Sequence, residues 1–146
     1  MNFCYTAEML TPHKMREIIF HLLYSADFAP DNQEEIIPFL MQHHLVTKKS
    51  MYMAQNRAGE IQAQQAVIDE MIAKTATEYE FERIPRVEKN LLRLGVYELY
   101  FSTEIPPKVA ISEAMRLARK FASAESAHFI NAILDTLYKQ KATHAV

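Results

Sequence analysis

The densest run of apolar positions spans residues 86–101, where hydrophobic side chains fall on nearly every side of a helix. One side of this helix contains Val87, Leu91, Leu94 and Phe101. Another side contains Leu92, Val96, Leu99 and Tyr100. A helix that is apolar nearly all round lies in the middle of a domain, with neighbours on several sides. Gly95 within it costs about 1 kcal/mol relative to alanine, which predicts the close approach of another helix.

One-sided patterns before this central helix predict three further helices. Thr11 and Pro12 mark the start of the first, and its buried face consists of Met15, Ile18, Ile19, Leu22 and Ala26. Asp31, with Glu34 three residues later, predicts a capping-box start for the second helix. Thr47 or Ser50 is expected to cap the third, whose heptad-like seam runs through residues 51–72.

Two more helices are expected after the central one. Ile105-Pro106-Pro107 predicts a rigid extended connection, after which Ser112 is expected to cap a helix. Ser123 is expected to cap the last helix, with Glu125 in its first turn. No period-two alternation is visible, and 2 Gly and 6 Pro in 146 residues are too few for a turn-rich β fold. The sequence therefore predicts an all-α protein.

The length fits one domain, or two small subdomains that share a core. No run of about 18 apolar residues is present, so no membrane-spanning segment is expected. The N-terminal residues lack the basic flank of a signal peptide, and the expected location is cytoplasmic. Cys4 is the single cysteine, so neither an intramolecular disulfide nor a cysteine-based zinc site is expected.

Residues for catalysis are not apparent in the sequence. No Gly-rich phosphate loop, G-x-S-x-G or H-E-x-x-H motif occurs, so we expect no enzyme, no cofactor and no metal site. His43 and His44 are adjacent, so their rings diverge by about 100° on a helix and do not chelate one metal together. We interpret them as a polar helix end. Glu98 lies on an apolar side of the central helix and is interpreted as a buried anchor paired with an arginine.

The net charge of −2 argues against a strong nucleic-acid binder, but two segments, 83–93 and 108–120, are basic. Phosphates require cations and bases require planar groups for stacking, for which Tyr24 and Phe129 are candidates. From periodicity and charge alone, we interpret the protein as a helical interaction module.

Four segments resemble, in order and spacing, the NusB family of bacterial transcription antitermination factors. They are RVEKNLLRLGVYEL (86–99), IPPKVAISEA (105–114), LARKF (117–121) and ESAHFINAILD (125–135). The resemblance implies a single domain of two packed three-helix bundles, at about 11–76 and 84–140. It further implies a non-enzymatic adaptor, without cofactor, that binds the single-stranded boxA element of ribosomal RNA transcripts. Such adaptors act with NusE, a small-subunit ribosomal protein, on the transcription elongation complex to suppress premature termination.

The resemblance also implies site residues by position. Those expected to contact RNA are His13, Lys14, Arg16, Pro107, Lys108, Glu125, His128 and Phe129. Those expected to face NusE are Tyr24, Glu82 and Glu88. Arg93 is left undecided between the partner surface and an internal anchor.

The chain departs from the family pattern at the start of the first helix, where the arginine cluster is reduced to Lys14 and Arg16. Fewer phosphate contacts mean weaker and less salt-sensitive RNA binding. Three alternatives follow: a protein-only interaction module, a homodimer formed through the seam or the RNA face, and a small-molecule enzyme with an unsuspected polar pocket.

Overall fold

The computed structural model describes residues 10–144, in which seven α-helices and two short 3₁₀ turns occur and no strand is present. The helices are α1 (Pro12–Phe28), α2 (Gln33–His44), α3 (Lys48–Ala63), α4 (Gln65–Thr75), α5 (Arg86–Tyr100), α6 (Pro107–Phe121) and α7 (Ala124–His144). The all-α prediction is confirmed. Cys4 lies outside the described residues. No helix in residues 10–144 combines the length and apolarity that crossing a bilayer requires.

The chain divides into two compact units between Gln62 and Ala63. The sequence instead assigned residues up to about 76 to the first bundle and predicted one long helix through this region. The structure interrupts that helix at Gln64, so all of α3 except its last residue belongs to the first unit, and α4 belongs to the second. Apolar periodicity continues across the break, which is why the pattern alone did not reveal it.

The first unit contains α1, α2 and α3. The Thr11 hydroxyl accepts a hydrogen bond from the Lys14 N–H, which confirms the predicted cap of α1. The Thr47 hydroxyl accepts one from the Ser50 N–H, so Thr47 is the cap of α3. The predicted capping box at Asp31 is wrong, because residues 30–32 form a 3₁₀ turn and α2 begins only at Gln33, without a side-chain cap.

The second unit contains α4 to α7, with α5 in its interior. Every residue from 90 to 99 is buried, as expected for a helix that is apolar on all sides. A Cβ atom added at Gly95 would lie 2.7 Å from Cδ1 of Leu134 on α7. The predicted close approach is therefore confirmed, and α7 is the helix that makes it.

The start of α6 differs from the sequence expectation. Pro106 is extended, but Pro107 is already the first helical residue, a position that suits its fixed φ and missing N–H. Ser112 therefore lies inside α6 and does not cap it; its hydroxyl donates to the Val109 carbonyl. The Ser123 hydroxyl accepts a hydrogen bond from the Ser126 N–H, which confirms the predicted cap of α7.

Candidate nucleic-acid interface

The predicted RNA-binding residues of the first unit lie in the first two turns of α1. His13 is exposed and Lys14 is half-buried. Arg16 is only 7% exposed, so its guanidinium belongs mainly to the interior of the protein. Lys14 is therefore the cation that this unit presents to solvent among the predicted contacts.

The predicted residues of the second unit form two groups. Pro107 and Lys108 occupy the first turn of α6, with Lys108 exposed. Glu125, His128 and Phe129 occupy the first two turns of α7, beyond the opposite end of α6. Since α6 has 15 residues, the two groups are separated by about 20 Å, roughly the length of the helix. A ligand that reaches both must follow the α6–α7 pair lengthwise.

Glu88 joins the second of these groups. It lines a surface pocket of about 300 Å³ together with Tyr79, Arg83, Ile84, Pro85, Ser123, Glu125, Ser126 and Phe129. Burial raises the pKa of Glu88 above its ordinary value of 4.5, and a hydrogen bond with Ser126 partly opposes that rise. One pocket therefore combines a residue predicted to face NusE with two predicted to face RNA.

The wall of this pocket contains an aromatic pair that the sequence did not reveal. The rings of Tyr79 and Phe129 meet edge to face, with centroids 5.2 Å apart and an interplanar angle of 81°. Tyr79 is 55% exposed, whereas Phe129 is half-buried. The planar surface open to solvent here therefore belongs mainly to Tyr79, and the 50 residues that separate the two rings in sequence concealed their contact.

The two remaining residues predicted to face NusE lie in different units. Tyr24 on α1 is half-buried and stacks on Phe28, with ring centroids 6.0 Å apart and planes inclined by 8°. Phe28 is 61% exposed, so the pair presents an aromatic surface to solvent. Glu82 is exposed in the 3₁₀ turn Phe81–Arg83 of the second unit.

Arg93, which the sequence left undecided, is an internal anchor. Its Nε and Nη2 atoms donate to the two carboxylate oxygens of Asp69 at 2.8 and 2.9 Å. The Arg93 side chain is 5% exposed, and Nη1 also donates to the Asn90 side-chain oxygen at 3.1 Å. Glu98, expected to be a buried anchor, is 3% exposed.

His44 is the last residue of α2, in agreement with its interpretation as a helix end, but it is only 6% exposed and therefore lies in the interior. Its ring lies 5.5 Å from the ring of His21 on α1, measured between centroids. Desolvation by burial, with smaller contributions from His21 and Lys14, lowers the pKa of His44 to about 4. The imidazole is therefore neutral at pH 7. Glu17 also lies close to His21 and His44. In the sequence, the four-residue spacing of Glu17 and His21 was the only indication that these side chains come together.

A model of the NusB family matches residues 13–139 of the chain. The chain belongs to the NusB family. The transcription antitermination protein NusB of Chlamydia pneumoniae is 36% identical over 125 residues, covering 86% of this chain and 78% of that protein. The corresponding protein of Nitratiruptor sp. is 33% identical over 132 residues, with coverage of 90% and 94%.

Solved structures of NusB proteins agree with this assignment. T. maritima NusB superposes with a TM-score of 0.77 at 32% identity, covering 90% of this chain and 93% of that one. A crystal structure of the antitermination factors NusB and NusE in complex with dsRNA gives a TM-score of 0.75 at 26% identity, with coverage of 88% and 96%. All the predicted site residues fall within the part of this NusB-family chain that the family model matches.

Proposed function

We propose that this NusB-family chain is a non-enzymatic adaptor that binds the boxA element of ribosomal RNA transcripts together with NusE. In this role it acts on the elongating RNA polymerase and suppresses premature termination. The observation that carries the proposal is the fold similarity to a NusB–NusE–dsRNA complex over 88% of this chain and 96% of that one. The antitermination proteins among its relatives support the same role.

The phosphate contacts of the proposed interface are Lys14 and Lys108, with His13 beside Lys14. Both lysines lie in the first turn of a helix, where the backbone N–H groups and the helix dipole also favour an anion. Arg16 contributes little direct charge because it is buried. The interface is thus less basic than the five predicted contacts on α1 and α6 would suggest, and we expect a modest salt dependence.

The base contacts of the proposed interface lie at the start of α7. His128 and Glu125 are exposed and supply hydrogen-bonding groups for base edges, while Phe129 and its neighbour Tyr79 supply ring surface for stacking. Stacking on aromatic side chains is worth about 1–3 kcal/mol per base in single-stranded complexes. Specificity for RNA letters would therefore come from α7, and non-specific affinity from the two lysines.

The proposed contacts to NusE are aromatic in the first unit and acidic in the second. Tyr24 and the exposed Phe28 supply apolar surface of the type enriched in protein interfaces. Glu82 and Glu88 supply carboxylates, which favour a basic partner surface.

Charge reversal on the full-length protein tests the RNA face. Fluorescence anisotropy with a boxA RNA and a scrambled RNA, at two salt concentrations, measures the affinity of Lys14→Glu and Lys108→Glu. We expect each substitution to weaken binding to both RNAs and to reduce the salt slope by about 1. Lys74→Glu is the matched control, because Lys74 is exposed, pairs with Glu70 and has no predicted RNA contact. Equal affinities in all three variants would refute the proposed face.

The second candidate function is a protein-only interaction module with weak or no RNA binding. The observations that favour it are the burial of Arg16 and the exposed aromatic surface at Tyr24 and Phe28. It predicts that the lysine reversals leave RNA binding unchanged while a Phe28→Ala substitution weakens binding to NusE.

A homodimer through the seam is disfavoured, because the apolar seam residues are buried within the single chain. They are Met51, Ala54, Ala58, Ile61, Ile68 and Ile72. Sedimentation at several concentrations measures the oligomeric state.

A further inference from the structure

Three side chains with metal-binding atoms converge in the first unit. Glu17 and His21 are four residues apart on α1, so their side chains lie on the same face of the helix. His44 is the last residue of α2, which packs against α1. A carboxylate oxygen of Glu17 and one ring nitrogen from each histidine all lie within 4.8 Å of one another.

This spacing is close to that of a coordination sphere. Metal–ligand bonds of about 2.0–2.2 Å in a tetrahedral site place neighbouring ligand atoms roughly 3.4 Å apart. The ligand atoms must therefore approach one another by about 1 Å or somewhat more when an ion binds.

His44 provides the second, independent observation. Its side chain is 94% buried, yet neither ring nitrogen has a hydrogen-bond partner among the described residues. Leaving a buried polar group unsatisfied costs about 1–3 kcal/mol, so native proteins rarely do so without a reason. A metal bond to one of these nitrogens removes that cost for the nitrogen that binds.

The donor set indicates the class of metal. Two imidazoles and one carboxylate suit Zn²⁺ and neighbouring divalent transition metals, whereas Mg²⁺ and Ca²⁺ prefer all-oxygen sites. Three protein ligands leave a fourth position for water, as in open zinc sites. Lys14 and His43 also act electrostatically on His44 and disfavour further positive charge there. The Glu17 carboxylate has the opposite effect and offsets part of the positive charge that a metal ion adds.

We propose that Glu17, His21 and His44 bind a divalent transition metal ion of the zinc class, and that this ion fixes α1 against the end of α2. The inference is independent of the proposed RNA-binding function. The site lies one turn beyond Lys14, so a bound ion would also hold in place the part of α1 that carries the predicted phosphate contact. An ion that binds only the folded protein raises its stability by RT ln(1 + L/Kd), where L is the free ion concentration and Kd is the dissociation constant.

Isothermal titration of the tag-free, full-length protein with ZnCl₂ tests the proposal, after removal of metal with a chelator. We expect one Zn²⁺ per chain and a melting temperature that rises with Zn²⁺ and falls again with chelator. Substitution with Co²⁺ is expected to give the visible absorption bands of a site with nitrogen and oxygen ligands. Absence of saturable binding at one site would overturn the proposal.

Three variants and one control locate the ion. His44→Ala, His21→Gln and Glu17→Gln are each expected to weaken Zn²⁺ affinity at least about tenfold, because each removes a ligand. Glu17→Gln keeps both the volume of the side chain and His44, so it remains informative if His44→Ala unfolds the protein. His43→Ala is the matched control, because His43 is an adjacent but exposed imidazole. Wild-type affinity in Glu17→Gln, or an equal loss in His43→Ala, would assign the binding to surface groups and overturn the proposal.

Discussion

Replacing Gly95 with alanine tests the packing of α5 against α7. A Cβ atom at this position would lie 2.7 Å from Cδ1 and 3.1 Å from Cδ2 of Leu134. Carbon atoms in ordinary contact are about 3.5–4.0 Å apart, so a shift of roughly 1 Å is required. Leu134 is 0% exposed, so its δ carbons must make that shift within the core.

Two opposing effects set the magnitude. Alanine is favoured over glycine within a helix by about 1 kcal/mol, and forcing an extra methyl group into a filled core costs about 1–3 kcal/mol. We therefore expect Gly95→Ala to lower the free energy of unfolding by about 0–2 kcal/mol. At Gly59 on α3, an added Cβ atom would have nothing within 4 Å. Gly59→Ala is therefore expected to raise the free energy of unfolding by about 0.5–1 kcal/mol.

Urea denaturation followed by circular dichroism measures both substitutions in the same assay. A third variant, Gly95→Ala with Leu134→Val, removes the δ carbons that clash, so alanine at position 95 should become less destabilising in that background than in the wild type. If Gly95→Ala and Gly59→Ala stabilise the protein equally, the close approach of α5 and α7 is refuted.

Two further predictions concern charged groups. Asp69→Ala leaves the buried Arg93 guanidinium without its carboxylate and is expected to cost about 3 kcal/mol in urea denaturation, whereas Lys74→Ala, which breaks an exposed ion pair, should change stability far less. A similar loss in both variants would contradict the internal role of Arg93. Glu88 has a raised pKa in the folded protein. Its favourable contribution to the free energy of unfolding is therefore present below its ordinary pKa of 4.5 and is lost as the pH rises through the folded pKa. Glu88→Gln should therefore gain stability relative to the wild type as the pH rises above 4.5 in thermal melts, and parallel melting profiles would rule this out.

Apart from the break between α3 and α4, the helices were predictable because they depend on local periodicity. Thr11 and Ser123 cap their helices as expected, since a cap depends on residues only three positions away. Ser112 failed as a cap because Pro107 is itself a favourable first helical residue, so α6 begins six residues earlier than expected. The local sequence therefore identifies the helix but does not determine at which of several possible residues the helix begins.

The candidate sites were predictable only where the residues are close in sequence or match the family. The carboxylate of Asp69 lies 24 positions before Arg93, and His44 lies 23 positions after His21. Periodicity carries no information on which distant side chains meet, because that depends on how the helices pack. For the same reason, the contact between Tyr79 and Phe129 was visible only in the folded unit.

Titration of boxA RNA with and without NusE, at about 0.05 and 0.2 M salt, tests the adaptor function most directly. The account predicts that NusE tightens RNA binding, that RNA tightens NusE binding by the same factor, and that affinity for boxA exceeds that for a scrambled RNA and falls with salt. Equal, salt-insensitive binding to boxA and scrambled RNA, unchanged by NusE, would contradict it.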